Sequence, residues 1–139
     1  MSPQPLAIVG LGPAGLNRLS ERALSLLLDP GRRLIVRTAH HPAASELIAA
    51  REVEACDDLY ESAVRFDDVY GAIAERVIAS SAETPTVYAV PGSAVVGERA
   101  VGEIRRRLAD RDLNPEVVPG ESFLDLVYLE AGVDPIASP

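Results

Sequence analysis

The chain has 139 residues, of which 47% are hydrophobic and 24% charged, enough length and apolar content for one folded domain. Its formal net charge of -8 argues against a nucleic-acid binder, which would normally carry a basic face, so we expect no nucleic-acid partner. No apolar run approaches the roughly 20 residues that span a bilayer, so we expect no membrane partner. The single cysteine, Cys56, excludes an internal disulfide, and we expect a cytoplasmic location.

Short apolar runs alternate with helical patterns along the chain. Strands are predicted at residues 5–9, 34–36, 53–56, 86–90 and 116–118. Helices are predicted at residues 20–28, 42–50, 57–81, 97–110 and 122–131. Because parallel strands need crossover helices, this order predicts an α/β three-layer sandwich whose sheet has about five mostly parallel strands.

The proline-rich end of the chain differs from the alternating pattern before it. We expect residues 1–133 to form the α/β domain and residues 134–139 to be a tail, or the start of a linker to a missing second domain. On this interpretation the sequence is part of a larger protein.

Three glycine-containing segments follow predicted strands. They are Val9–Gly15, Val90–Ala94 and Val118–Ser122. The carboxyl ends of parallel strands share one edge of the sheet, where open α/β folds bind their ligands. Glycine permits a positive φ and a close approach of the backbone to a ligand. The sequence therefore predicts a small-molecule site at this edge.

The first segment has two other interpretations. The G-x-G-x-x-G spacing of dinucleotide-binding turns is matched by Gly10, Gly12 and Gly15. However, Pro13 removes an amide that a phosphate would use, and Arg37 stands where an acidic ribose ligand is expected. These departures disfavour nicotinamide binding. A glycine-rich strand-to-helix turn without a ligand is the other alternative.

Other residues that could carry chemistry have simpler structural interpretations. On an extended segment, His40 and His41 point to opposite sides, so one ion cannot easily take both, and we expect no metal. Cys56 is interpreted as a small buried hydrophobe, and the acidic residues between 52 and 68 as a solvated face. Local pattern favours helix capping for Ser122. No side chain is predicted to be catalytic.

Several short motifs, spread over nearly the whole chain, carry a resemblance to a known family. The matching stretches are Ile8–Pro13, Arg37–Pro42, Asp57–Glu61, Phe66–Tyr70, Val87–Ser93, Gly120–Asp125 and Gly132–Pro135. In this order they resemble the N-terminal half of the tetrapyrrole (corrin/porphyrin) methylases. The middle motifs more closely resemble the bacterial variant fused ahead of MazG-type nucleoside triphosphate pyrophosphohydrolases.

The resemblance implies an S-adenosyl-L-methionine-dependent methyltransferase-family domain that forms a homodimer. Carried over by position, the cofactor-binding residues are Gly10, Gly12, Pro13, Pro91, Gly92, Ser93, Ser122 and Phe123. The Gly-Asp-Pro usual in the family reads Gly92-Ser93-Ala94 here. The alternative function is a non-catalytic ligand-binding or regulatory module associated with a MazG-type pyrophosphohydrolase.

Overall fold

Five strands form one all-parallel sheet in the computed structural model, which describes residues 5–137. The strands are β1 (Leu6–Gly10), β2 (Arg33–Val36), β3 (Glu54–Ala55), β4 (Thr86–Val90) and β5 (Glu116–Val118). Their order across the sheet is β3-β2-β4-β1-β5, and every neighbouring pair is parallel. The predicted α/β fold class is confirmed.

Helices connect consecutive strands, as the alternation in the sequence predicts. Those in the described residues are α1 (Glu21–Leu27), α2 (Pro42–Ala50), α3 (Asp57–Ser62), α4 (Phe66–Glu83), α5 (Arg99–Ala109) and α6 (Phe123–Ala131). A short 3-10 helix, Leu16–Arg18, lies between β1 and α1. Of the proposed tail, residues 138 and 139 lie outside the described part of the chain.

The sheet is buried on both faces because alternate side chains of each strand enter opposite cores. In β1, Leu6 and Ile8 pack with the apolar faces of α4 and α5. Ala7 and Val9 face the other way and pack with α1 and α2. This two-sided burial explains why the central strands read as continuous apolar runs rather than as an alternating pattern.

The helical pattern predicted for residues 57–81 forms two helices instead of one. Ala63, which follows α3, and Arg65, which precedes α4, both have extended backbone angles. Each helix has a pair of aspartates in its first turn, which the helix dipole favours at an N-terminus. The second pair, Asp67 and Asp68, therefore marks a new helix start.

Candidate functional site

The register of the sheet brings the turns after β1 and β4 together. Gly10 lies opposite Val90, so both strands end at the same level. Beyond them the Gly12 amide donates to the Gly92 carbonyl, and the Gly92 amide donates to the Gly12 carbonyl, each at 3.0 Å. Both glycines have positive φ, +67° for Gly12 and +64° for Gly92, which other residues rarely adopt. The two turns are thus one hydrogen-bonded unit.

The turn after β5 packs directly against this unit. The Ala94 amide donates to the Pro119 carbonyl at 2.8 Å, which joins the second and third turns. A Cβ atom on Gly10 would overlap the Pro119 carbonyl and lie 2.6 Å from the Gly92 carbonyl oxygen. A Cβ atom on Gly120 would lie 2.8 Å from the Gly10 Cα atom. Gly10 and Gly120 therefore allow backbone to pack on backbone.

The glycine on the open side of the three turns is Gly92. A Cβ atom built there meets nothing within 4 Å, whereas Gly10 is enclosed by other backbone. Pro13 and Pro91, which flank the hydrogen-bonded pair, are half-buried. Among the predicted binding glycines, Gly92 thus has the most space for a ligand beside it.

The two predicted binding serines make local hydrogen bonds. Ser93 is buried, and its Oγ accepts from the Val95 amide at 3.2 Å. Ser122 Oγ accepts from the Leu124 amide at 3.1 Å, which places it at the N-cap of α6, as its local sequence predicts. Phe123, the next residue, is 58% exposed. Both serine hydroxyl oxygens are thus engaged by amides within two residues of their own position.

A partly buried ion pair connects the end of β2 to the start of α5. The Arg37 Nε atom lies 3.3 Å from Glu98 Oε1, and the Glu98 side chain is only 10% exposed. Burial raises the pKa of Glu98, although the charge of Arg37 lowers it. Near this pair, the buried Tyr88 hydroxyl has no hydrogen-bond partner among the described residues, and burial raises the pKa of Tyr88. The ion pair fixes the far end of the segment that begins at Gly92.

The segment after β2 is held by Asp57, the first residue of α3. Its carboxylate accepts from the Thr38 hydroxyl at 2.7 Å and from the Ala39 amide at 2.8 Å. Burial raises the pKa of Asp57, but these hydrogen bonds outweigh it, so that the pKa is lowered overall. Asp57 is half-buried and structural, in contrast to the solvated face predicted from the sequence.

The adjacent histidines have separate environments, as expected for an extended segment. His40 is exposed, whereas the His41 ring lies against the first turn, with Nε2 2.8 Å from the Gly12 carbonyl oxygen. The sequence alone offers two interpretations of His41, a metal ligand and a part of the family-like stretch Arg37–Pro42, and neither predicts this contact. The available signal was the proline that follows it, because Pro42 at the first position of a helix makes residue 41 the N-cap.

A cavity of about 840 Å³ lies at the opposite, amino edge of the sheet, where its lining includes Arg32, Arg51 and Glu54.

Within residues 5–137, no group of three or more His, Cys, Asp or Glu side chains is arranged to hold a metal ion. None of the helices in the same residues is both long and apolar enough to cross a bilayer.

In parallel α/β domains, ligands bind at the carboxyl edge of the sheet, which is where these glycine turns meet. Residues 5–136 match the family Tetrapyrrole (Corrin/Porphyrin) Methylases. The chain belongs to this family. It is 33% identical over 132 residues to the protein YabN of Bacillus subtilis (strain 168), covering 94% of this chain and 27% of YabN.

Solved structures of methyltransferases share the fold. The uroporphyrin-III-C-methyltransferase of Thermus thermophilus superposes with a TM-score of 0.68 at 24% identity, over 93% of this chain and 53% of that one. A further structure of a Thermus thermophilus uroporphyrin-III C-methyltransferase, complexed with S-adenyl homocysteine, gives 0.57 at 22% identity, over 93% and 48%. The chain thus spans about half the length of these enzymes and about a quarter of YabN.

Proposed function

We propose that the three turns bind S-adenosyl-L-methionine, or its demethylated product, in a methyltransferase of the tetrapyrrole methylase family. The observation that carries the proposal is the double hydrogen bond between Gly12 and Gly92, beside open space at Gly92. Family membership and a similar structure complexed with S-adenyl homocysteine support the same ligand. The proposed binding residues remain Gly10, Gly12, Pro13, Pro91, Gly92, Ser93, Ser122 and Phe123.

Methyl transfer makes modest demands on side chains. The methyl carbon bonded to the sulfonium of S-adenosyl-L-methionine is already electrophilic. The principal contribution of a protein is therefore to align this carbon with the acceptor in a site that excludes water. On this proposal the turns hold the donor through main-chain contacts. The partly buried ion pair between Arg37 and Glu98 keeps the loop after Gly92 in place. On this proposal no acid–base pair is required of this chain.

A ligand titration followed by NMR tests the proposal. We expect S-adenosylhomocysteine to shift the amide signals of Gly12, Gly92 and Ser93 in the wild-type chain, with saturation in the millimolar range. Weak binding is expected because an open surface covers less of a ligand than the enclosed pockets that usually bury most of its area. If millimolar ligand produces no shift at either turn, the proposal is wrong.

A pair of glycine variants supplies the control. In Gly92→Val the side chain occupies the space proposed for the ligand, and we expect binding to fall below detection. Gly97→Val carries the same backbone penalty, about 1–2 kcal/mol, because Gly97 also has a positive φ. A Cβ atom built at Gly97 likewise meets nothing within 4 Å. We expect Gly97→Val to bind like the wild type. Equal loss in both variants would assign the effect to strain rather than to the site.

We further propose that the chain forms a homodimer. The apolar surface of α6 supports this, because none of its residues is buried and Phe123, Val127 and Leu129 are each at least half exposed. Sedimentation equilibrium is expected to give a dimer, and Leu129→Asp is expected to shift it towards monomer. A wild-type chain that sediments as a monomer at high concentration would contradict this assignment.

We propose as a second candidate function a regulatory module within a longer protein. YabN is 33% identical in the matched region and much longer than this chain, so a domain of this kind also occurs within a larger protein. On this proposal residues 1–133 sense a small molecule for a linked MazG-type pyrophosphohydrolase in the bacterial cytoplasm. Ligand binding without methyl transfer to any acceptor would favour this function over catalysis.

A further inference from the structure

His41 makes two hydrogen bonds that together fix the state of its ring. Its Nδ1 atom accepts from the Ala43 amide at 3.1 Å, which caps α2. An amide can only donate, so Nδ1 carries no proton. The proton of the neutral ring is therefore on Nε2, which donates to the Gly12 carbonyl at 2.8 Å. Both nitrogens are occupied, which leaves none for a metal ion.

The Gly12 carbonyl is the point where the segment after β2 meets the paired turns. It accepts from Gly92 on one side and from His41 on the other. Gly12 has a positive φ and a half-buried proline after it, and a Cβ atom built there would meet only the Glu121 Cβ atom, at 3.9 Å. Gly12 itself is buried, and its hydrogen bonds to Gly92 and His41 hold the orientation of its peptide groups.

We propose that His41 is a positioning residue that orients the Gly12 peptide, and through it the Gly12–Gly92 pair, for ligand binding. This inference rests on the proposed function for its role in binding, but its structural part can be tested without a ligand. His41 acts through the main chain of another residue and need not touch the ligand itself.

Two variants of His41 separate its two hydrogen bonds. In His41→Asn the amide oxygen replaces Nδ1 and retains the cap of α2, but the side chain is too short to reach Gly12. In His41→Gln the longer amide group replaces Nε2 and retains the donor to the Gly12 carbonyl, while the cap is weakened. His40→Asn is the matched control, because the His40 side chain is exposed.

We expect the two His41 variants to have opposite effects on stability and on ligand binding. His41→Asn should keep the melting temperature close to wild type, bind S-adenosylhomocysteine about tenfold more weakly, as expected for one lost hydrogen bond, and exchange the Gly92 amide proton faster. His41→Gln should melt at a lower temperature than the wild type. Its affinity for S-adenosylhomocysteine and its slow exchange of the Gly92 amide proton should both be retained. His40→Asn should match the wild type in all three measurements.

The ligand-free measurements keep the inference separate from the proposed function. Imidazole nitrogen chemical shifts should show His41 with its proton on Nε2. If the wild type binds no ligand, Gly92 exchange in His41→Asn still decides whether His41 holds the turn. Unchanged Gly92 exchange and unchanged affinity in that variant would overturn the inference, as would a ring with its proton on Nδ1.

Discussion

Replacing Gly10 with alanine is expected to lower the free energy of unfolding by about 3 kcal/mol, near the upper end of the usual cost of overpacking. The new Cβ atom would overlap the Pro119 carbonyl oxygen and lie 2.6 Å from that of Gly92. Both neighbours are backbone atoms, which cannot rotate away as a flexible side chain would. Chemical denaturation of the two chains measures the difference.

Gly102→Ala is the control for the Gly10 variant. Gly102 lies inside α5, and a Cβ atom built there meets nothing within 4 Å. Alanine is a better helix former than glycine, so we expect this variant to raise the free energy of unfolding by about 0.5–1 kcal/mol. A loss of less than about 1 kcal/mol in Gly10→Ala would show that the turns separate easily, and the close packing at Gly10 would then be unimportant for stability.

Replacing Asp57 with alanine is expected to lower the free energy of unfolding by about 2 kcal/mol at pH 7, since hydrogen bonds to charged groups are worth about 1.5–3 kcal/mol. The pKa of Asp57 is lowered from its ordinary value of 3.8. The charge-dependent stabilisation is therefore complete above pH 3.8 and is lost as the pH falls through the lowered pKa. Denaturation of the wild type and Asp57→Ala between pH 7 and pH 2 (roughly the span of this titration) checks this expectation. The difference between their free energies of unfolding should become smaller as the pH falls.

Asp58→Ala tests whether the effect belongs to Asp57 or to negative charge at the start of α3. Asp58 pairs with Arg76 at 2.8 Å, but its side chain is 60% exposed. Exposed ion pairs contribute about 1 kcal/mol or less. An equal loss of unfolding free energy in the two variants would mean that the hydrogen bonds to Thr38 and Ala39 contribute no more to stability than the exposed pair does.

Hydrophobic pattern and turn chemistry predicted most of the fold. The run from Thr86 to Val90 is bounded by Pro85 and Pro91, and β4 has the predicted limits. Pro42 starts α2 where the sequence predicts, and Ser20 caps α1 through its side chain. These signals are local, because a proline or a capping hydroxyl acts on the backbone within a few residues. A single chain is enough to read them.

The long-range contacts of the site could not be predicted in the same way. Hydrogen bonds join His41 to Gly12 and Asp57 to Thr38, across 29 and 19 positions of the sequence. A histidine that bonds a distant carbonyl and an aspartate that holds a neighbouring loop have no periodicity to reveal them. Which of two histidines faces inward depends on the register of β2, and that is fixed only when the sheet forms.

The strand order has a consequence for how the chain folds during synthesis. The neighbours of β1 are β4 and β5, so Leu6 pairs with Thr86 and Ala7 with Glu116. A nascent chain that ends before β4 leaves both edges of its first strand unpaired, although that strand is almost wholly apolar. We therefore expect the domain to fold late on the ribosome, with a slow rate typical of non-local strand pairing, and N-terminal fragments lacking β4 to aggregate.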